Sequence, residues 1–377
     1  MSTWESVSSF GIATIYYAGS LLGGPYKLPN MKYDAYRVYT NLPACGAQRG
    51  HGGVIARACW EQQLDMIAEE LAMDPIELRL KNMMVTGDVT CNDLNMSSLG
   101  MRECIEAVRD RSEWKHKKGK LPKGRGIGMA CGFFVSGAGF PIYRSDTYHG
   151  TVIVKLTEDG GTALVYTASA EIGQGSDTAF AMIAAEALGI PLEWVRLESG
   201  DTDFGVDLGA YSSRQTLMTG QATKEAAEDA KRQVLEVLSE VLDVPVADMD
   251  VKRGLIINRV SVEAQMQGAI YMGLGEALYE EVKFDDEGRV RNADLAEYKM
   301  PTARDMPPID AVIVESNEPN GPFGAKEVGE GAIMPTIPAV LNALSDAVGV
   351  RLNELPLTPE RVYLAIKEYK NKSELLR

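Results

Sequence analysis

Histidine is scarce in this chain: three residues in 377 (His51, His116, His149), far apart and without zinc-type spacing. Cysteine is little commoner, and the five present (Cys45, Cys59, Cys91, Cys104, Cys131) form no C-x-x-C pair. That spacing argues against an iron–sulfur cluster held within the chain. An odd count in a chain of this length argues for reduced thiols and a cytoplasmic setting rather than a disulfide framework. Basic charge is also short. With 38 Lys and Arg against 53 Asp and Glu, the net charge is −15, which leaves no general basic face for nucleic acid. A phosphorylated cofactor held by backbone N–H groups stays compatible. Long apolar runs are missing too: Phe10–Leu22 is broken by glycines and tyrosines, and Met1-Ser-Thr-Trp-Glu-Ser has no basic start. Neither a signal peptide nor a membrane span is read there.

What is present is an ordinary soluble composition, 45% hydrophobic and 24% charged, with enough apolar material for a core and a length that fits two or three domains. The basic run Lys115-His-Lys-Lys-Gly-Lys-Leu-Pro-Lys-Gly-Arg125 reads as a solvated linker, placing a boundary near residue 120. Before it, Tyr36–Thr40 alternates like a strand. Val54–Met73 has helical periodicity through Ile55, Cys59, Leu64, Ile67 and Leu71. Asp74-Pro75 is a cap and first-turn proline for a further helix, Ile76–Met83. After the boundary come a hairpin (Tyr148–Leu156 with Gly161–Thr167), helices over Ala179–Leu188, Ala222–Leu242 and Ser261–Leu278, and a strand pair around Asp285–Gly288. A strand Ala311–Glu315 and a last helix near Pro359–Tyr369 complete the reading. Strands and helices mix without regular βαβ order, so the class is α+β.

Three glycine-rich loops carry the chemistry. Gly321-Pro-Phe-Gly-Ala-Lys-Glu-Val-Gly-Glu-Gly331 places Glu330 before an apolar helical segment in which Pro335 and Pro338 suit a first turn. Burial would raise that carboxyl's pKa and a helix N-terminus would lower it. The residue reads either as a base or as an acidic group at a helix entry. Ala170-Glu-Ile-Gly-Gln-Gly-Ser-Asp-Thr178 is either an anion or polar-ligand site or a well-capped strand-to-helix connection. Gly209-Ala-Tyr-Ser-Ser-Arg-Gln-Thr216 likewise suits a phosphate or a plain cap.

Taken together and in order, these stretches resemble the large, molybdopterin-binding subunit of the xanthine dehydrogenase and aldehyde oxidase family of molybdenum hydroxylases. The matching residues are Gly46-Ala-Gln-Arg-Gly-His-Gly52, the Asp65–Arg79 segment with Asn82, and Glu171-Ile-Gly-Gln-Gly175. Ser212-Ser-Arg214 with Thr216, Gln267-Gly268 with Gly273-Leu-Gly275, Tyr298–Ala303 and Gly324-Ala-Lys-Glu-Val-Gly-Glu330 complete the set.

The resemblance implies a molybdenum centre held by a pterin dithiolene rather than by side chains, with no protein metal ligand. It makes Glu330 the base that deprotonates the Mo–OH attacking an electron-poor carbon, and Arg49 the cation that steadies negative charge. It assigns Gly173, Gln174 and Gly175 to the pterin side, Ser212, Ser213 and Arg214 to the neighbourhood of the cofactor phosphates, and Lys326 and Gly329 to the same cofactor. The expected cofactor is the cytosine dinucleotide form of molybdopterin, with [2Fe-2S] clusters and FAD on partner subunits. The boundary then divides the C-terminal part of a first molybdopterin-binding domain (1–120) from a second (121–377).

Four departures shape the expectation. The family's hammerhead domain and first molybdopterin loop are not found in the sequence, which reads either as a split form completed by a hammerhead-containing partner, beside the 2Fe-2S and FAD subunits, or as a truncated gene. An internal deletion is read near 253–258. His51 stands where xanthine oxidases carry a phenylalanine against a flat purine, and Glu327 replaces a commoner glycine; both are placed in the substrate pocket. N-heterocycle, aldehyde and, reductively, hydroxyaryl-CoA thioester substrates stay open, as does a non-catalytic subunit packed on a complete paralogue.

Overall fold

The computed structural model describes residues 11–36, 38, 48–137, 150–158, 161–249, 258–326 and 328–375. In chain order the helices are α1 (Gly11–Leu22), α2 (Gly53–Glu70), α3 (Pro75–Asn82), α4 (Met101–Arg111), α5 (Trp114–Lys117), α6 (Ser176–Leu188), α7 (Gly220–Leu242), α8 (Arg259–Leu278), α9 (Thr336–Val348) and α10 (Pro359–Leu375). The strands are β1 (Val152–Leu156), β2 (Ala163–Thr167) and β3 (Val195–Ser199). The chain forms two units. Unit 1 takes Met1–Phe134, Met266–Glu315 and Glu330–Arg377, and unit 2 takes Val135–Gln265 and Ser316–Gly329.

In unit 2, β1 pairs antiparallel with β2, Leu156 opposite Ala163. β2 pairs parallel with β3, Val165 opposite Leu197. A parallel pair needs a crossover, and α6 supplies it. Along β2 the residues Ala163, Val165 and Thr167 are buried while Leu164 and Tyr166 are half-buried, the period of two that a one-sided sheet imposes. The buried face meets Ala184, Ala185, Ala187 and Leu188 of α6 and Ala227 of α7. These small residues let two helices lie close to the sheet, and each larger apolar side chain buried there contributes about 1.5–3 kcal/mol.

Unit 1 is helical, its apolar core gathering Tyr26, Ile76, Met83, Ile105, Trp114, Met129 and Cys131. Asp74 caps α3 as expected, its carboxylate accepting from the Ile76 N–H at 2.7 Å, and Pro75 opens the helix. Segment 126–132 runs along α9. A Cβ on Gly128 would lie 2.2 Å from the Ala339 carbonyl oxygen, so no larger residue fits there.

The expected inner face of α2 is corrected. Ile55, Ile67 and Leu71 are 37%, 43% and 59% exposed, and the buried stripe is instead Arg57, Glu61, Asp65 and Ala68. Arg79 of α3 explains the inversion, bonding Glu61 at 2.8 Å and Asp65 at 2.7 Å. Tyr26 donates to the other Glu61 oxygen at 2.9 Å. Burial first, and then the neighbouring carboxylate and thiol, push the Tyr26 phenol well above its usual range.

Other expectations are met differently. Residues 311–315 form no strand, and the pair near 285–288 reduces to one bridge, Phe284 with Val290. The Tyr36–Thr40 strand lies largely outside the described residues. The basic run is tied down at its start: Trp114 is buried with its indole N–H on Asp74 at 2.9 Å, and Lys118 pairs with Asp346 at 3.1 Å.

Candidate functional site

Two groups of loops carry the residues singled out by the sequence, one in each unit. In unit 1 the turn before α2 holds Gly50, His51 and Gly52 at φ 85°, 40° and 78°. Three successive residues in the left-handed region form a sharp reversal that favours glycine. Gly52 is required for a second reason, since a Cβ there would lie 2.3 Å from the Thr14 carbonyl oxygen. A Cβ on Gly50 would stand 2.9 Å from Ile333, and one on Gly53 2.7 Å from Met334. Ile333 and Met334 are themselves wholly buried. They belong to the run of turns that carries half-buried Glu330 into α9. Their packing under Gly50 and Gly53 sets the Glu330 turn against the turn of Arg49 and His51. Pro335 is the N-cap of α9 and Pro338 sits in its first turn, so Glu330 stands six residues ahead of the helix rather than at its first N–H groups.

His51 is buried and stacked on Tyr17 of α1. The half-buried Arg49 lies along α8, its Nη1 3.9 Å from the Met272 sulfur and 3.7 Å from where a Cβ of Gly268 would be. Exposed Gln48 donates to Glu276 at 2.9 Å. Neither Gln48 nor Glu276 was singled out from the sequence. The available signal was position: Gln48 adjoins Arg49, and Glu276 follows the Gly273-Leu-Gly275 motif.

In unit 2 the loop before α6 is closed on itself. Gln174 accepts from the Ile172 N–H at 2.6 Å and donates to the Ala170 carbonyl at 3.0 Å and the Ser176 hydroxyl at 2.6 Å. The N–H groups of Gly173, Gly175 and Asp177 converge on Glu171 at 2.7, 3.0 and 3.2 Å, joined by the Ser176 hydroxyl at 3.2 Å. Burial works against this charge, but the four donors outweigh it and hold the carboxyl below its ordinary range. Glu171 is a third residue whose role was missed. Its place within the Glu-x-Gly-Gln-Gly motif was visible, and its inward aim was not.

Ser212 and Ser213 are buried, with φ 59° and 48°. The Ser212 hydroxyl donates to the Gly137 carbonyl at 3.3 Å, and the Gly137 N–H returns to the carbonyls of Ser212 and Ser213 at 3.0 and 3.1 Å. Arg214 is buried on Asp207 at 3.1 Å and the Gly209 carbonyl at 3.0 Å, with its guanidinium over the Tyr211 ring. Asp207 also accepts from Gln215 and Thr219, residues of the π-helical turn Gln215–Thr219 that leads into α7. Lys326 is exposed and Gly329 half-buried on the segment past Gly324. Glu327 lies outside the described residues.

The loop before α6 gathers backbone N–H groups and a hydroxyl on one carboxylate, that of its own Glu171, which is donor chemistry that suits an anionic, acceptor-rich group. Comparison with known proteins gives the family. A sequence model of the molybdopterin cofactor-binding domain matches residues 103–256 and 253–307, and a second model with the same description matches residues 5–83. The chain belongs to the molybdopterin cofactor-binding family. Its relatives include molybdenum-binding subunits of xanthine dehydrogenase and of aldehyde oxidoreductase. The xanthine dehydrogenase molybdenum-binding subunit of Escherichia coli O157:H7 is 31% identical over 88% of this chain and 54% of its own length. Among solved structures, quinoline 2-oxidoreductase from Pseudomonas putida 86 shares the fold, with a TM-score of 0.86, 23% identity and coverage of 94% of this chain and 57% of that one. The aldehyde oxidoreductase from Desulfovibrio gigas gives a TM-score of 0.77 and 26% identity, covering 96% of this chain and 46% of that one. This molybdopterin-binding chain thus spans about half the length of the proteins it matches, and its α+β architecture is theirs. No described helix is long and apolar enough to cross a membrane.

Proposed function

We propose that this chain is the molybdenum-cofactor-binding subunit of a xanthine dehydrogenase-type oxidoreductase that hydroxylates an electron-poor carbon of an N-heterocycle or an aldehyde. The observation that carries the reading lies in unit 1, where Ile333 and Met334 under Gly50 and Gly53 set the Glu330 turn against the Arg49 turn. A cation and a carboxylate on abutting turns suit a reaction that develops negative charge and releases a proton. The bound cofactor supplies two-electron oxidation with oxygen from water. The chain supplies Glu330 to take up the proton and Arg49 to steady the anionic substrate or transition state. His51 borders the substrate, with Glu327 assigned to the same pocket. Gly173, Gln174, Gly175, Ser212, Ser213, Arg214, Lys326 and Gly329 make up the loops that hold the cofactor, which we assign as the cytosine dinucleotide form. Arg214 serves there by fixing the backbone of its loop through Asp207. Glu171 marks where an anion is welcomed in that unit.

Partner chains complete the enzyme in this reading: a hammerhead-containing molybdopterin subunit, a 2Fe-2S subunit and an FAD subunit, all in the cytoplasm. Support comes from relatives that are themselves subunits of larger enzymes, among them a 6-hydroxypseudooxynicotine dehydrogenase complex subunit and a nicotine 6-hydroxylase large subunit, and from apolar residues left exposed on α7, Val237 at 62% and Val241 at 74%. A second reading, a subunit that packs on a complete paralogue without turning over, is favoured by a separate fact. The two matches to one family model meet at residues 253–256, as an internal deletion would produce.

The deciding experiment purifies the chain natively, measures molybdenum and released cytidine nucleotide, and identifies co-purifying chains by mass spectrometry. About one molybdenum per complex, with turnover abolished in Glu330→Gln at unchanged metal content, is expected. Metal-free protein, or full turnover in that variant, overturns the enzymatic reading or the assigned base respectively.

A further inference from the structure

Helix α8 presents Gly268, Met272 and Glu276 at spacings of four, one stripe along one face. The turn before α2 lies on that stripe. Gly268 has no side chain and lets the Arg49 guanidinium approach, its Nη1 3.7 Å from where a Cβ would be. Met272 offers its sulfur as a soft contact at 3.9 Å. Glu276 supplies the polar tie, accepting from Gln48 at 2.9 Å. Arg49 and its chain neighbour thus lie along about two turns of one helix, at three points whose ends are eight residues apart.

We propose that Glu276 is a positioning residue for Arg49, acting through Gln48 and rigid α8. The inference rests on the reading of Arg49 as the group that meets substrate charge. An arginine on a glycine-rich reversal has many rotamers and a pliable backbone. A tie one residue away, anchored to a helix, limits both. Misplacement by about 1 Å can lower an enzymatic rate about a hundredfold, so such a tie bears directly on turnover.

The tie is also sensitive to protonation. Burial, then the Glu280 carboxylate one turn further, push Glu276 up to about 7 against the opposing bond from Gln48. The groups facing it are Glu280 on α8, Tyr298, whose hydroxyl donates to Glu280 at 2.9 Å, and neutral Gln48; cationic Arg49 follows Gln48 in the chain and lies on Met272, one turn back along α8. As Glu276 ionises, Gln48 donates to a charged acceptor instead of a neutral one and the tie tightens.

The test follows the 15N guanidinium signals of the full chain by NMR across neutral pH, with Arg49 assigned by its loss in Arg49→Lys. In the native sequence the Arg49 signal should move with a midpoint near the Glu276 value of about 7. Glu276→Gln should abolish the movement while keeping the folded position. Glu276→Ala and Gln48→Ala should displace the signal alike. An Arg49 signal indifferent to all three variants overturns the proposal. In the native complex, kcat/KM should fall about tenfold in Glu276→Ala, largely restored in Glu276→Gln. A coupled NMR signal together with full turnover in Arg49→Met would instead refute the catalytic role of Arg49 and leave the tie standing.

Discussion

His51 lies flat on Tyr17, their ring centroids 4.6 Å apart and their planes 11° from parallel. Tyr17 in turn lies on Phe134 at 5.6 Å and 10°, and Phe134 borders Gly331, next to Glu330. Three rings thus link α1, the Arg49 turn and the Glu330 turn within unit 1. One face of the imidazole is taken by Tyr17, so the stack from beneath sets the ring's tilt.

If stacking is what holds His51, its loss has a defined size. His51→Ala should destabilise unit 1 by about 2 kcal/mol, from the lost aromatic pair and the space left behind. His51→Phe should retain most of that stability, since a flat ring still covers Tyr17. Urea midpoints at constant slope measure both. Equal losses in the two variants would mean that the backbone reversal, and not the ring, is what matters.

The Arg79 cluster makes a larger prediction. Arg79→Met leaves Glu61 and Asp65 buried without their shared partner and should cost about 3–5 kcal/mol. Burial already raises the Asp65 carboxyl against the pull of Arg79. Without that pull the Asp65 carboxyl rises further, so the loss should be smaller at pH 5 than at pH 8. A pH-independent loss would point to packing of the arginine stem instead.

The same cluster marks the limit of what the sequence could tell. Helix ends were legible because capping is local: Asp74-Pro75, the hairpin of β1 and β2, and the prolines opening α9 all act within a few residues. The inner face of α2 was not legible, because Arg57, Glu61 and Asp65 look like a solvated stripe until Arg79, fourteen residues beyond Asp65, is folded onto them. β3 was passed over, since Val195–Ser199 is short and gains its partner only through the α6 crossover. At the site, the motifs located Arg49 and Glu330 in sequence, while the packing of Ile333 and Met334 under Gly50 and Gly53 required the fold. Glu276 lies 228 positions from Gln48, and no periodicity links them.

At the start of α6, Glu171→Ala removes the carboxylate on which three N–H groups and a hydroxyl converge. A loss of about 1 kcal/mol is expected, as for other helix N-terminal caps. The native carboxyl titrates below its ordinary value of 4.5. Its contribution is therefore present above that value and is lost as pH falls through the lowered one. Added phosphate should raise the melting temperature of Glu171→Ala more than that of the native chain, because the freed donors then accept an external anion. No difference between the two in phosphate would show that the loop collapses without its own carboxylate.

Glu276 gives the opposite sign. Its folded pKa of about 7 lies above the ordinary 4.5, so the folded state holds a proton that the unfolded chain releases. Relative to Glu276→Gln, the native chain should be favoured most below about pH 4.5. It should lose that advantage between there and about pH 7 and stay level above it. The full shift would correspond to more than 3 kcal/mol, and partial solvent access reduces the expected change to about 2 kcal/mol. Denaturant titrations of both proteins at several pH values give the difference curve. A flat curve would mean that Glu276 is ionised throughout, and a curve rising with pH would place a cation, Arg49 foremost, closer to it than Glu280 is.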